Sequence, residues 1–266
     1  MTRPALHLLA GALVALLSLG AHAFDHDYRD YGALLTEHVH MADDRTASTV
    51  DYAALKRDGA ALQSVLGTWS AVTPEDFAEW SRDQQMAFLI NAYNGFTLAL
   101  ILTEYPDLDS IRDLGSLFRS AWKNEFFNLL GKRRHLDWVE HETLRTDYPD
   151  ARIHFAVNCA SVGCPALQDQ PFRAAELDAQ MDAATRQFLQ DRSRNHFDAD
   201  TGTLHVTPLL RWYAEDFTVD GTQNPQAWLA LHAEWLTDTP AERARVAGGY
   251  FRIDYTDYNW ELNDVR

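Results

Sequence analysis

Between Met86 and Leu102 the chain is almost continuously apolar, and this stretch constrains the fold more than any other. A run of that length either approaches a membrane span or is enclosed by the protein's own core. Asn91, Asn94 and Thr97 interrupt it and Glu104 closes it, so a buried central helix is expected. Ser81 followed by Gln84 has the reciprocal pattern that satisfies free N–H groups at a helix start. Tyr105-Pro106 ends the helix, because the residue before a proline is driven out of the helical region. Asn91, Asn94 and Gly95 share one helical face. A buried amide without a partner costs about 1–3 kcal/mol, and a mid-helix glycine about 1 kcal/mol relative to alanine. Something polar or a close backbone must therefore press on that face. Two readings stay open: the amides tie down a neighbouring loop, or they line a pocket.

The first 23 residues stand apart. Arg3 precedes an apolar run from Leu8 to Leu19, and Ala21-His22-Ala23 supplies a small-residue cleavage pattern, which together read as a secretory signal peptide. Residues 24–266 then form a single globular domain, since no proline-rich, serine-rich or charge-block linker divides them. With Arg3 as the leader's one basic residue and no acid in it, the remaining 243 positions hold 22 Lys and Arg against 39 Asp and Glu. That balance argues against nucleic acid and anionic lipid as partners, because those surfaces reward clustered cations. The expectations are a periplasmic or secreted protein, no stable membrane span after cleavage, and an envelope peptide, protein or glycan as partner. Lys132-Arg133-Arg134 reads as the tip of a solvated hairpin.

Helices are expected over Tyr31–His40, over Tyr52–Trp69 with Gly59 weakening it, and from Thr73-Pro74, a capping residue followed by proline at the first helical position. Gly131-Lys132 joins a hairpin, and Asp137 caps a helix through Arg145. Ile153–Asn158 reads as a buried strand and Ala175–Gln190 as an amphipathic helix. Thr203–Val206 is one arm of a second hairpin turning at Asp200-Thr201-Gly202. Helices follow Thr207-Pro208 and Asn224-Pro225, and Tyr250–Leu262 alternates as a closing strand. Helices and strands mix without a βαβ rhythm, so the class is α+β: a helix-rich single domain with a buried central helix and a small antiparallel sheet.

Chemistry concentrates in His154-Phe-Ala-Val-Asn158-Cys159-Ala-Ser161-Val-Gly163-Cys164-Pro165, which contains both cysteines of the chain. A thiol nucleophile needs a base, a group to orient it, and donors for an oxyanion. His154, Asn158 or Asn91, and the loop amides supply those types. Strand alternation would put His154 and Asn158 on one face and Cys159 on the other, so either the strand ends before Cys159 or Cys164 is the better partner. His141 and His205 are further candidate bases. An exported protein meets an oxidising environment, where two close cysteines pair. Such a bridge would contribute roughly 2 kcal/mol by the chain-entropy estimate. It would also exclude a resting thiol nucleophile. Metal-ligand spacing, a phosphate cradle and a serine-nucleophile elbow are missing, so neither metal nor cofactor is expected. Trp212, Tyr213 and Phe217 recur at helical spacing, as core packing or as a stacking surface, with Asp216 able to orient a partner.

Four blocks, Ala87–Asn94, Leu136–Arg145, His154–Pro165 and Arg211–Phe217, followed by the ending Tyr258–Asn263, resemble in order and spacing the domain of unknown function 547 family. The resemblance runs from about Val50 to the end. It implies positions rather than a reaction: Asn91, Tyr93 and Asn94; Glu140 and His141; His154, Asn158, Cys159 and Cys164; Trp212, Tyr213, Asp216 and Phe217. A looser similarity is to papain- and transglutaminase-like folds, whose cysteine starts the central helix, where this chain offers Asn91 and Asn94 instead. Two functions stand side by side. One is a thiol-dependent acyl-group enzyme acting on peptide or amide bonds, with Cys164 or Cys159 as nucleophile, His154 as base, and Asn91 or Asn158 orienting or stabilising charge. The other is a non-catalytic envelope binding domain in which a Cys159–Cys164 bridge shapes a loop over a groove lined by Tyr93, Asn94, Glu140, His141, Trp212, Tyr213 and Asp216.

Overall fold

In the computed structural model, which describes residues 24–116, 120–219 and 224–265, the apolar run lies inside one helix, Arg82–Glu104, and every residue from Met86 to Ile101 is buried. The expected leader lies outside the described residues. The Ser81 hydroxyl accepts from Gln84 N at 3.2 Å, and Gln84 Oε1 accepts from Ser81 N at 2.9 Å, so the start follows from the capping pair. The helix is long and apolar enough to cross a membrane, but its surface is covered by the protein itself.

Four helices precede it: α1 (Arg29–His38), α2 (Tyr52–Arg57), α3 (Gly59–Ser70) and α4 (Pro74–Glu79), which makes the central helix α5. The single helix expected over Tyr52–Trp69 is two, broken at Asp58, and it runs through Gly67 to Ser70. The first helix stops at His38, where the chain enters a small antiparallel hairpin of β1 (Val39–Met41) and β2 (Ser48–Val50). The second hairpin, β3 (Phe127–Leu129) with β4 (Lys132–Arg134), turns through Leu130 at φ 50° and Gly131 at φ 72°. Two consecutive left-handed residues match the right-handed twist of the flanking strands. Phe127 stacks on Phe96 at 3.9 Å and fixes the hairpin to α5.

Trp138–Leu144 is a π-helix, continued by α6 (Arg145–Asp147). Asp137 does not cap it with its side chain, which instead faces Lys123 at 3.6 Å and His141 at 3.8 Å. A short helix, α7 (Ile153–Ala156), stands where a strand was expected, and α8 (Leu177–Leu189) follows. The remainder builds a three-stranded sheet from β5 (His196–Asp198), β6 (Thr203–Val206) and β7 (Arg252–Tyr255), in that order. β6 pairs antiparallel with β5 and parallel with β7. Around it lie α9 (Leu209–Trp212), α10 (Pro225–Leu231), α11 (Ala233–Leu236) and α12 (Pro240–Ala247), so the helix expected from Asn224-Pro225 is interrupted at His232. Only Arg252–Tyr255 of the expected closing strand is a strand; the rest turns back over the cysteine loop. The class is α+β and helix-rich, as the sequence predicts.

Two apolar clusters form the interior, one around α5 and one between α8, the three-stranded sheet and the last helices. Gly95 marks a close approach in the first. A Cβ there would stand 2.7 Å from Trp69 Cζ3 and 3.1 Å from Leu66 Cδ2. Trp69 is itself held edge-on against Tyr31 at 4.9 Å. Gly95→Ala is therefore expected to lower stability in urea by about 1–3 kcal/mol of overpacking, against about 1 kcal/mol of gained helix propensity. A midpoint at or above that of the parent chain would refute the close-contact reading.

Candidate functional site

Helix α7 lies on the seam between the two clusters. Successive residues of a helix point about a third of a turn apart, whereas those of a strand point in opposite directions. Ile153 and Ala156 enter the first cluster and Phe155 enters the second. His154, between them, is 2 % exposed and borders a cleft at the junction. The physical reason for the misread strand is that all four positions are buried: a short run apolar on every side has the same sequence signature in either conformation. The histidine thus rides on a helical turn and not on a sheet, a departure from the papain-like arrangement.

The amides of α5 tie loops to that helix. Asn94 Nδ2 donates to Ala156 O at 3.0 Å and Asn94 Oδ1 accepts from Asn158 N at 2.8 Å, so one side chain closes both ends of the α7 exit. Asn91 holds Phe172 in the same two-handed way, at 2.8 and 3.0 Å. Asn158 bonds Pro165 O at 2.7 Å and Ala160 N at 2.8 Å, which folds the cysteine loop on itself. Ala160 takes a left-handed φ of 62° inside that loop. Asn91 and Asn158, expected beside a nucleophile, therefore serve backbone groups, as does Asn94, and none of the three borders the cleft.

Cys159 and Cys164 form a disulfide, and the chain has no free cysteine. This corrects the expectation of a resting thiol nucleophile at either position. The bridge is dressed by hydroxyls: Tyr258 Oη lies 3.3 Å from Cys159 Sγ and 3.2 Å from Cys164 Sγ, and Ser161 Oγ lies 3.2 Å from Cys159 Sγ. Burial pushes the Tyr258 phenol up to about 12, against the Ser161 hydrogen bond and the Arg194 charge, which pull it down. The chain end is latched here as well. Val162 N donates to Glu261 O and Gly163 N to Asn259 O, both at 2.8 Å, and a Cβ on Gly163 would sit 2.9 Å from that same Asn259 oxygen.

Beneath the cleft runs a charged chain. His154 Nε2 meets Asp216 Oδ2 at 2.6 Å, and Arg145 Nε donates to the same oxygen at 2.6 Å. Arg145 also pairs with Glu215 at 2.6 Å and contacts His141 Nδ1 at 3.1 Å. Burial would raise the Asp216 carboxyl, but the His154 and Arg145 hydrogen bonds outweigh it and hold the group at about 2. On the other side of the imidazole, Nδ1 lies 4.0 Å from the carboxylate of Glu140, itself 4 % exposed. The Tyr213 ring stacks on His154 at 4.1 Å. Burial raises the Tyr93 and Tyr213 phenols well above the ordinary range, and the charge and hydrogen bonding of Glu140 raise them further.

The cleft above this chain has a volume of about 220 Å³. Tyr93, Glu140, His141, His154, Cys159, Cys164, Trp212 and Tyr213 border it, which brings together eight of the residues singled out by sequence. Asp216 sits behind His154. Phe217 is fully buried in the second cluster, and His205, on β6, pairs with Asp254 at 3.4 Å away from the cleft. Sequence reasoning missed Trp122, Tyr258 and Trp260, whose rings complete the wall, and Arg145, which neutralises Asp216. The signal was available in part: Tyr258-Asn259-Trp260 is aromatic without the alternation of a strand beyond Tyr255. Among the described residues one group of metal-ligating type occurs, Glu37, His38 and Asp58, with donor atoms within 4.8 Å of one another. His38 Nε2 stands 3.1 Å from Asp58 Oδ2, an ion-pair geometry that accounts for the group without a metal.

With this geometry in place, the comparison with known families is informative. Residues 77–189 match the DUF547 family, described as a protein of unknown function. No curated protein and no solved structure matches the chain. The match is narrower than the resemblance from Val50 to the end. The DUF547 segment contributes α5, the π-helix, α7 and the disulfide loop; Trp212, Tyr213, Asp216, Tyr258 and Trp260 come from beyond it.

Two measurements check this site. Protein purified without reductant should release no thiol on denaturation until reductant is added, and the Cys159→Ser/Cys164→Ser double variant should lose about 2 kcal/mol of stability; free thiols in the denatured parent would overturn the bridge. Asp216 has a folded-state pKa below its unfolded value, so its stabilisation is complete above about pH 4 and is lost as pH falls through about 2. Asp216→Asn should cost roughly 2 kcal/mol at pH 7 in urea unfolding, and the gap to the parent should close between pH 4 and pH 2. A gap independent of pH would mean that the carboxylate charge is not what holds His154 and Arg145.

Proposed function

We propose that the protein is an exported binding protein of the cell envelope, whose cleft takes a small group displayed by an envelope peptide, protein or glycan. The observation that carries this reading is the position of the Cys159–Cys164 disulfide in the border of an aromatic-walled cleft. With both sulfurs bonded to each other, the residues suited to thiol chemistry become part of a fixed rim. A short-loop disulfide suits an oxidising compartment, in keeping with the leader pattern Arg3, Leu8–Leu19 and Ala21-His22-Ala23. The wall is suited to recognition. Trp212 stacks on Trp260 at 5.8 Å, and Tyr258 contacts Trp260 at 4.5 Å and Trp212 at 5.0 Å. Trp212 is 42 % exposed and joins Tyr258 and Trp260 in one aromatic surface at the cleft.

The test has two arms. Expressed in a bacterium with its own leader, the protein should be recovered from the periplasm with an intact mass that begins at Phe24. A lysozyme digest of purified cell wall should change its tryptophan fluorescence saturably, and Trp212→Ala should weaken that response at least tenfold with unfolding temperature unchanged. A cytoplasmic, uncleaved product or a digest without saturable effect would overturn the reading.

A further inference from the structure

Which group the cleft selects follows from its charge and from the state of its polar side chains. Among the described residues the border contains the carboxylates of Asp137 and Glu140 and no Lys or Arg. Of the nearby cations, Arg145 is bonded to Asp216 and Glu215 behind the floor, Lys123 reaches the far carboxylate, Asp137, at 3.6 Å, Arg194 donates to Cys164 O at 2.7 Å, and Arg112 lies over the Trp260 ring at 5.2 Å, itself a cation on the aromatic wall. His154 is drawn to Asp216 at 2.6 Å and stands at 4.0 Å from Glu140. Glu140 is thus a buried carboxylate under aromatic rings without a close guanidinium or ammonium partner. Its hydrogen bonds come from the neutral Tyr93 and Tyr213 phenols, so a cation arriving in the cleft would be the group that pairs with it.

The walls favour the same ligand. Trp122, Trp212, Tyr258 and Trp260 form a continuous aromatic surface, with ring centroids of neighbouring pairs 4.5–6.0 Å apart. The face of each ring is electronegative and attracts a cation, most strongly when the cation is desolvated. Neutral sugars would also stack and could donate hydroxyls to Asp137 and Glu140, but they bring no charge to the buried carboxylate. The amides of Asn94 and Asn158 are already bonded to backbone. An anion would face two carboxylates.

We propose, resting on the reading of the cleft as a binding site, that it recognises a protonated alkylamine: the ammonium sits over the Trp and Tyr faces and is neutralised by Glu140, while its methylenes pass along Trp212. A volume of about 220 Å³ suits one lysine-sized side chain rather than a larger ligand. The amine can come from a peptide side chain or from a free diamine, and the probes separate the two.

Tryptophan fluorescence and calorimetric titrations would use Nα-acetyl-lysine methylamide, its Nε-acetylated form, 1,5-diaminopentane and N-acetylglucosamine. The lysine amide is expected to bind at least tenfold more tightly than the Nε-acetylated form, which keeps the chain and removes the charge. Preference for the lysine amide over the diamine identifies a peptide source, and the reverse a free amine. Glu140→Gln should abolish the tenfold discrimination. The comparison of charged and acetylated probes on the parent protein needs no variant, so it stands if Glu140→Gln fails to fold. Equal affinity for the two forms, or a preference for the sugar, overturns the amine inference while leaving the binding reading intact. Silence of all four probes while the wall digest still binds overturns it as well, and silence of the digest too overturns the reading beneath it.

Discussion

The carboxylate of Asp216 joins what the two apolar clusters alone would leave separate. Its Oδ2 accepts from Arg145, which follows the π-helix of the first cluster, and meets His154 on the seam, while the next residue, Phe217, is anchored in the second cluster. Hydrogen bonds to charged groups in a partly buried setting are stronger than neutral ones and strict in geometry. This one contact therefore orients the imidazole, sets Tyr213 flat against it, and brings Trp212 to the rim. Apolar packing specifies that the clusters touch; the carboxylate specifies at what angle.

The same division explains how much was legible in the sequence. The central helix was fully readable, because its length, its capping pair and its proline stop all act within the helix itself. The β3–β4 hairpin was readable for the same reason, since Gly131 supplies the turn conformation locally. The seam was not. His154 and its neighbours are buried on every side, and periodicity cannot distinguish a turn of helix from a strand when no face is polar. The π-helix was likewise hidden, because its register is fixed by Glu140 and Arg145 finding partners far along the chain. Of the candidate site, the residue types and the segments were visible, and the roles of Asn91, Asn94 and Asn158 were not. An amide facing a loop and an amide facing a ligand have the same spacing, and only tertiary partners tell them apart.

Two of those amides also bear on the cysteine loop, while Asn91 holds Phe172. Asn94 holds its entry, Asn158 holds its interior, and the chain end lies across its top through Val162 and Gly163. A loop fixed from three sides keeps the two cysteines 6.2 Å apart at Cα, and Tyr258 Oη touches both sulfurs from the chain end. The bridge is a closing element in a loop already shaped by hydrogen bonds. Its removal should alter the rim more than the core, because the buried side chains on either side of it are held by α5 and by the second cluster.

A rim set in this way has a chemical consequence. Acyl transfer needs a nucleophile that can move into register with a base and an oxyanion site. Here the sulfurs are bonded to each other, His154 is bonded to Asp216, and the loop amides at Val162 and Gly163 donate to the chain end. Each group that such a reaction would use is already engaged. The Glu140 carboxylate, buried beneath the aromatic wall, is bonded to the Tyr93 and Tyr213 phenols and has no guanidinium or ammonium partner. The same rigidity bears on the binding reading proposed above, because preorganised walls lose little freedom when a ligand arrives.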